Sequence, residues 1–499
     1  MHSNPPPSTQ IVFDNSYAQL PGQFHARQNP TAVSSPALIK VNERLAHDLN
    51  LDVNYLTSPT GVQMLAGNHV PQGSDPIAMA YAGHQFGNWV PQLGDGRAIL
   101  LGEVLDRDGA RVDLQLKGAG RTRYSRNGDG RAWLGPVLRE YVVSEAMAAL
   151  NIPTTRALAC VTTGEHVLRE EAFPGAVLTR VAQGHIRVGT FEYFAARGDT
   201  PSLRILADYA IDRFYPDARD APAPHLSLLK SVLARQAELI AKWMGVGFIH
   251  GVMNTDNMSV VGETIDYGPC AFIDAYHPQT VFSYIDQMGR YAYANQPDMG
   301  KWNLTRFAST LLPLVHPDED AAVDMAQDAL DTFRDVFADA WTAIFRAKLG
   351  LSMQEDEDPA LIQGLLDLMA ENQADFTQTF RGLSGLLGSE AIPENNPVRG
   401  LFNDPSAFDG WVNMWRVRLA RETRSEPDMR SEMRAVNPAY IPRNHRVEKM
   451  ITAAVDGDFS FFDRLLDVLS RPFDDQPQFA SYQTPPKPSE VVQQTFCGT

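Results

Sequence analysis

The segment from Ala98 to Lys117 reads as a β-hairpin: AILLGEV, a turn at DRDGA, then RVDLQLKG, whose second arm alternates Val112, Leu114 and Leu116 on one face and closes on a lysine. After the polar loop GAGRTRYSRNGDGRAW, the run GPVLREYVVSEAMAALN reads as a helix, with Pro136 suited to its first turn and Asn151-Ile152-Pro153 ending it. The first third of the chain is therefore mixed β and α. From Leu226 the period changes: LSLLKSVLARQAELIAKWMGVGF places Leu229, Leu233, Ile240 and Met244 on one helical stripe, and residues 320–348, 359–381, 408–424 and 459–470 share the helical spacing. The pattern predicts an α+β protein whose C-terminal two-thirds is mostly helical.

A chain of 499 residues has room for two to four domains, or for one large two-lobed enzyme with an extension. Hydrophobic residues at 44% and charged residues at 21% are typical of a folded globular protein. Lys and Arg number 43 against 60 Asp and Glu, and the net charge of −17 argues against non-specific binding to nucleic acid or anionic membrane. Any phosphate site must be local. No apolar run approaches 18 residues, and the N-terminus MHSNPPPSTQ lacks the features of a secretory or mitochondrial leader, so the expectation is a soluble, cytoplasmic protein. Three cysteines, Cys160, Cys270 and Cys497, form no disulfide framework and no CxxC zinc spacing. Cys160, within ALACVTT, reads as buried and inert. The acidic run from Glu355 to Asp358 and the stretch Pro393 to Pro397 read as surface connectors, and the final segment from Pro472 as an extended surface tail bearing Cys497.

Chemistry concentrates in two glycine-rich loops and one compact motif. Gly83, Gly87, Gly94 and Gly96 precede the hairpin, and Gly118, Gly120, Gly128 and Gly130 follow it, with Arg97, Arg121, Arg123, Arg126 and Arg131 interspersed. Glycine admits backbone N–H groups to a phosphate chain and arginine adds bidentate charge; flexible turns with solvated arginines are the alternative, and the P-loop pattern is absent. Lys117 closes its strand, and Glu140 and Glu145 on the following helix compete as its partner. In GFIHGVMNTDNMSVVGETIDYGP, His250 and Asn257 align with the ends of the kinase catalytic loop HRDxxxxN, with Val252 where the catalytic aspartate stands. A short apolar strand is expected around Ser259 to Val261, followed by Asp266-Tyr267-Gly268 in place of the metal-binding Asp-Phe-Gly. An Asn amide oxygen and a carboxylate form a hard oxygen pair suited to Mg²⁺; turn capping is the ordinary use of either residue alone. Arg416, Arg418, Arg421 and Arg424, interleaved with Trp411, Met414 and Trp415, read as a helix with an aromatic packing face and a solvated basic face, or else as a dock for protein substrates.

Together the blocks FDNSYAQLPG, YAGHQFGNWVPQLGDGRA, LQLKGAGRTRYSRNGDGRAWL, LREYVVSEAM, GFIHGVMNTDNMSV, IDYGPCAFIDAY, GRYAYANQP and NPAYIPRNH resemble the selenoprotein O family, kinase-like protein adenylyltransferases. The resemblance implies a protein-kinase-like two-lobed fold, divided here at 1–182 for the N-lobe, 183–392 for the C-lobe and 393–499 for a helical extension and tail. It implies ATP bound in a flipped orientation, with AMP delivered to Ser, Thr or Tyr hydroxyls of protein substrates. Gly94, Gly96, Arg97, Lys117, Asp129, Gly130, Arg180, Arg187 and Asp266 would contact the nucleotide. Asn257 and Asp266 would hold Mg²⁺, with Mn²⁺ as the alternative; Asp256 would accept the proton, and Glu140 rather than Glu145 would pair with Lys117. The resemblance also implies a redox-sensitive link between Cys497 and a cysteine near the activation segment, for which Cys270 is the nearest candidate. Val252 keeps two other readings open, a nucleotide-binding pseudokinase scaffold and a true kinase with a displaced base; UMP transfer from UTP with Mn²⁺ is open as well, because base selectivity depends on pocket shape.

Overall fold

The computed structural model describes residues 11–388 and 392–495. Its N-terminal part is built on an antiparallel sheet. The strands follow the spatial order His25–Arg27, Ile77–Met79, Ala98–Leu105, Arg111–Lys117, Ala172–Ala182, Arg156–Leu168 and Ala37–Val41, with Ala132–Trp133 added against Ala172–Ala182. The hairpin register pairs Ala98 with Lys117 and Val104 with Val112. Its turn is closed by Asp106, whose carboxylate accepts the Asp108 and Ala110 N–H groups at 2.9 and 2.7 Å. Val112, Leu114 and Leu116 enter a core with Leu45, Leu65, Ile99 and Val161. Asp113, Gln115 and Lys117, on the other face of the same strand, form a polar row that is also covered.

The helix Leu134–Ala149 packs Val137, Leu138, Tyr141 and Val142 against Ala157, Cys160, Ala176 and Leu178 of the sheet. Its far side is covered by two helices from the end of the chain, Asn444–Val455 and Ser460–Leu469, through Val447, Met450, Phe462 and Leu465. Arg139 pairs with Glu448 across that contact. A helix near the start of the fold is thus held between the sheet and the C-terminal helices.

The remainder is helical around Pro224–Gly245, whose stripe of Leu229, Leu233, Ile240 and Met244 is buried. Two expected helical segments are interrupted. Residues 320–348 divide at Thr332 into Glu319–Asp331 and Phe333–Lys348. Residues 359–381 divide where Gln373 adopts a left-handed conformation, φ 53°, and Asp375 caps the next helix through the Gln378 N–H at 2.8 Å. The expected strand at Ser259–Val261 does not form. Ser259 makes one isolated bridge with Arg187, Val260 N–H donates to Ile186, and Gly262 turns the chain at φ 80°.

Two other expectations need correction. Asp358, at the end of the acidic run, is fully buried and accepts from Arg346 and Arg418 at 2.7 Å, whereas Asp356 and Glu357 are exposed, so only part of the run is a surface connector. The basic helix face is only partly solvated: Arg418 is buried against Asp358 and Glu422, Arg421 is exposed and pairs with Glu355 and Glu357, and Arg424 pairs with Glu422 and Glu432. Trp411 and Trp415 pack inward, with stacked rings 5.9 Å apart, while Met414 is exposed. The tail lies mostly on the surface but includes one 3-10 segment, Pro477–Tyr482. Among the described residues no helix is long and apolar enough to cross a membrane.

Candidate active site

One cleft of about 470 Å³ gathers most of the chemistry, within the usual range for a small-molecule site. Its walls come from the loop Leu93–Ala98, Lys117 at the strand end, the loop Tyr124–Ala132, the helix bearing Glu140, and the segments around Asp256 and Asp266. The short antiparallel pair Phe248–Ile249 and Ala271–Phe272 brackets residues 250–270 and brings both ends of that segment together. His250 is buried and bonds the Ile265 carbonyl at 2.8 Å, tying the two turns across the segment. Burial lowers the pKa of its imidazole.

Asp266 is the electrostatic centre. Lys117 Nζ and Arg180 Nη1 each lie 2.8 Å from its Oδ1, and Arg187 Nη1 lies 2.7 Å from Oδ2. Burial acts to raise its pKa, but Lys117, Arg180 and Arg187 override that effect and hold it well below the usual carboxylate range. Its backbone is left-handed, φ 63°, a conformation unfavourable for a non-glycine residue and one that accumulates at functional sites. Lys117 also reaches Glu140 Oε2 at 2.5 Å, and Arg180 reaches Glu140 Oε1 at 3.2 Å. Glu145 is engaged elsewhere, in a two-bond pair with Arg156.

Sheet register explains Arg180. It stands directly across from Gln115, whose Oε1 accepts from Arg180 Nη2 at 2.6 Å and Nε at 3.2 Å. Gln115 in turn donates to Asp95 Oδ2 at 3.3 Å, where the Met79 N–H also donates at 3.1 Å. Burial pushes Asp95 up to about 6. Arg187 is carried in by its bridge to Ser259, stacks 4.7 Å from the centre of the Tyr81 ring and donates to the Asp256 carbonyl at 2.5 Å.

Asp256 is buried, and burial raises its carboxyl pKa to about 6. Asn257 donates through Nδ2 to the Val252 carbonyl at 3.0 Å, so its amide oxygen is the atom that a cation would meet. That oxygen and the Asp266 carboxylate make the hard donor pair that fits Mg²⁺, most of whose remaining ligands come from phosphate and water. Among the described residues no cluster of three His, Cys, Asp or Glu side chains offers a separate metal cage.

The glycine loops form the other wall. Gly94, φ 90°, lets Tyr124 close over it: a Cβ there would lie 2.4 Å from the ring. Gly96, Arg97, Asp129 and Gly130 line the cleft, but the Asp129 carboxylate is shared with Arg169 at 2.8 and 3.1 Å. Arg126 and Arg131 also line it; Arg121 and Arg123 do not. Cleft residues not singled out in the sequence include Tyr81, Gln85, Asp95, Tyr124 and Arg169. GDGR holds Asp95 between two glycines, the one local signal that marks any of them.

Cys160 and Cys270 are buried, and burial raises the Cys160 thiol pKa. Cys497 lies outside the described residues. Thr495 is within them: its N–H donates to Phe282 at 2.7 Å and its hydroxyl to the carbonyl of Pro269, beside Cys270, at 2.5 Å.

The scaffold is kinase-like, and its cleft carries the Lys117–Glu140 pair together with Val252, Asn257 and Asp266. Residues 7–470 match the family model described as protein adenylyltransferase SelO, and the chain belongs to that family. It is 60% identical over 493 residues to a protein nucleotidyltransferase YdiU of Bradyrhizobium diazoefficiens, covering 99% of this chain and all of that protein. Proteins of the same description from Rhizobium johnstonii and Rhodopseudomonas palustris are also 60% identical, over 495 and 493 residues, covering 99% of this chain and 98% and 100% of theirs. The chain is a protein nucleotidyltransferase.

Proposed function

We propose that the enzyme transfers AMP from ATP to Ser, Thr or Tyr hydroxyls of other proteins, releases pyrophosphate and depends on Mg²⁺, acting in the cytoplasm. The observation that carries this reading is the grouping of Lys117, Arg180 and Arg187 around one carboxylate, Asp266, with a second carboxylate, Asp256, at the same cleft. Attack of a hydroxyl oxygen on the α-phosphorus forms one P–O bond and breaks the bond to the β-phosphate, so negative charge grows on the departing pyrophosphate. Lys117 and the two arginines supply the opposing charge. Val252 cannot take the hydroxyl proton, whereas Asp256, raised toward neutrality by burial, is suited to accept it. Asn257 and Asp266 would hold Mg²⁺, which when bound screens phosphate charge.

Cys270 and Cys497 would form the redox link. Thr495 supports it by bringing the tail, two residues before Cys497, to the residue next to Cys270.

Incubation with Mg²⁺ and either α-³²P-ATP or γ-³²P-ATP tests the main reading on the protein itself and on a generic protein acceptor. Label from the α-position alone, lost in Asp266→Ala, is expected. Label from the γ-position would make the protein a kinase. Absence of both, with label from α-³²P-UTP and Mn²⁺, would make it a uridylyltransferase, and absence of all three would leave a nucleotide-binding scaffold.

A further inference from the structure

A small hairpin that contributes nothing to the main sheet is fastened to the loop bearing Asp256. Gly83–Gln85 pairs with Asn88–Val90, and the two turn residues, Phe86 and Gly87, both have positive φ, 50° and 82°. A two-residue turn of this kind sets the register of a hairpin and therefore which side chains share a face. Three consecutive residues, His84 and Gln85 of the first arm and Phe86 of the turn, then bond three consecutive residues of the loop. His84 N–H donates to Thr255 Oγ1 at 2.7 Å, and Phe86 N–H donates to Asn254 Oδ1 at 3.0 Å. Between them, Gln85 Nε2 donates to Asp256 Oδ2 at 3.1 Å.

The hairpin is anchored on both sides of that contact. His84 Nδ1 lies 2.6 Å from Glu192, whose other oxygen accepts from Thr255 at 2.5 Å. Tyr291 donates to the same Asn254 oxygen at 2.8 Å. Gly83, on the same face as Gln85, presses so closely on the carboxylate that a Cβ would stand 2.6 Å from Asp256 Oδ1. Among the described residues Oδ1 is buried and has no hydrogen-bond partner. One carboxylate oxygen is therefore held by a hydrogen bond and the other is enclosed beneath Gly83.

Resting on the reading of Asp256 as proton acceptor, we propose that Gln85 is a positioning residue for the transfer step: its amide on Oδ2, with Gly83 packed over Oδ1, fixes the rotation of the Asp256 carboxylate and so the direction from which it takes the hydroxyl proton of the protein substrate. Gln85 then acts through Asp256, and its removal lowers turnover without weakening nucleotide binding.

The test is a double-mutant cycle on the full-length protein with α-³²P-ATP and Mg²⁺, using Gln85→Met, Asp256→Asn and the pair, with ATP affinity and thermal unfolding measured on each. Gln85→Met is expected to lower kcat about tenfold, the worth of a hydrogen bond to a charged group, with KM for ATP and the unfolding temperature unchanged. In the Asp256→Asn background the same change should alter residual turnover by less than about twofold. An equal loss in both backgrounds, or a loss confined to ATP affinity, overturns the proposal. Should Gln85→Met fail to fold, Gln85→Leu removes the donor with a smaller apolar side chain, and wild-type turnover there overturns it equally. If Asp256→Asn itself keeps full transfer, the reading of Asp256 fails and the proposal with it; if Asp256→Asn is impaired and Gln85→Met is not, only the proposal fails.

Discussion

Replacing Arg180 by Met separates the electrostatics of the cleft from the stability of the fold. Arg180 is 1% exposed and lies between Glu140 and Asp266, at 3.2 and 2.8 Å. Methionine keeps the aliphatic stem but leaves both carboxylates one cation short. Removing one partner of a buried ion pair costs about 3–5 kcal/mol. Here the lower end applies, because Lys117 still bridges the same two carboxylates and Arg187 still holds Asp266. At about 2.1 cal/mol/K of unfolding entropy per residue, one cooperative transition of a 499-residue chain has a slope near 1 kcal/mol per degree. A loss of about 3 kcal/mol then lowers Tm by only about 3 °C. Transfer should fall far more, by about 10²- to 10³-fold, the scale found when one preorganised donor to developing charge is removed. Scanning fluorimetry and α-label transfer on the same preparations give both numbers. Unchanged transfer would refute the role assigned to Arg180, and a Tm drop above about 10 °C would show that it acts chiefly as a structural core residue.

Gly94→Ala should weaken ATP binding while leaving the fold intact, because the new Cβ meets the Tyr124 ring and the left-handed backbone is strained; isothermal titration gives the change, expected at about tenfold or more. His185, buried against Asp113 at 2.8 Å, has its pKa lowered to about 4 by burial. The unfolded chain therefore binds more protons between about pH 4 and 6.5, and stability should rise with pH across that window. Asp113, which stays below its ordinary pKa because Arg213 and His185 outweigh its burial, acts in the same direction as the pH rises from the acid end. Denaturant midpoints at pH 5 and pH 7 test the slope, which His185→Gln should flatten.

The order Lys117, Asn257, Asp266 was legible because each stands in a local motif with fixed spacing. Glu140 and Glu145 were not separable in this way: they sit five residues apart on one helix, and the choice is made by Arg156, which engages Glu145. The alternation Val112, Leu114, Leu116 revealed one covered face of its strand. It carried no sign that Asp113, Gln115 and Lys117 opposite would be enclosed too, since their partners come from distant segments. Gln85 was hidden for the same reason, lying 171 residues from Asp256. The acidic run at Glu355 and the arginines Arg418 and Arg421 each looked like solvated charge when read alone. They meet in one ion-pair network, brought together by folding.

The helix that carries Glu140 has an order of assembly built into it. Its front is placed against the cleft early in the sequence, yet its back is sealed by Asn444–Val455 and Ser460–Leu469, among the last helices to leave the ribosome. Without them the side of the helix away from the sheet is uncovered, and the helix that carries Glu140 is braced on one side only. A chain cut before Asn444 would keep every cleft residue and still lack a firmly set pair.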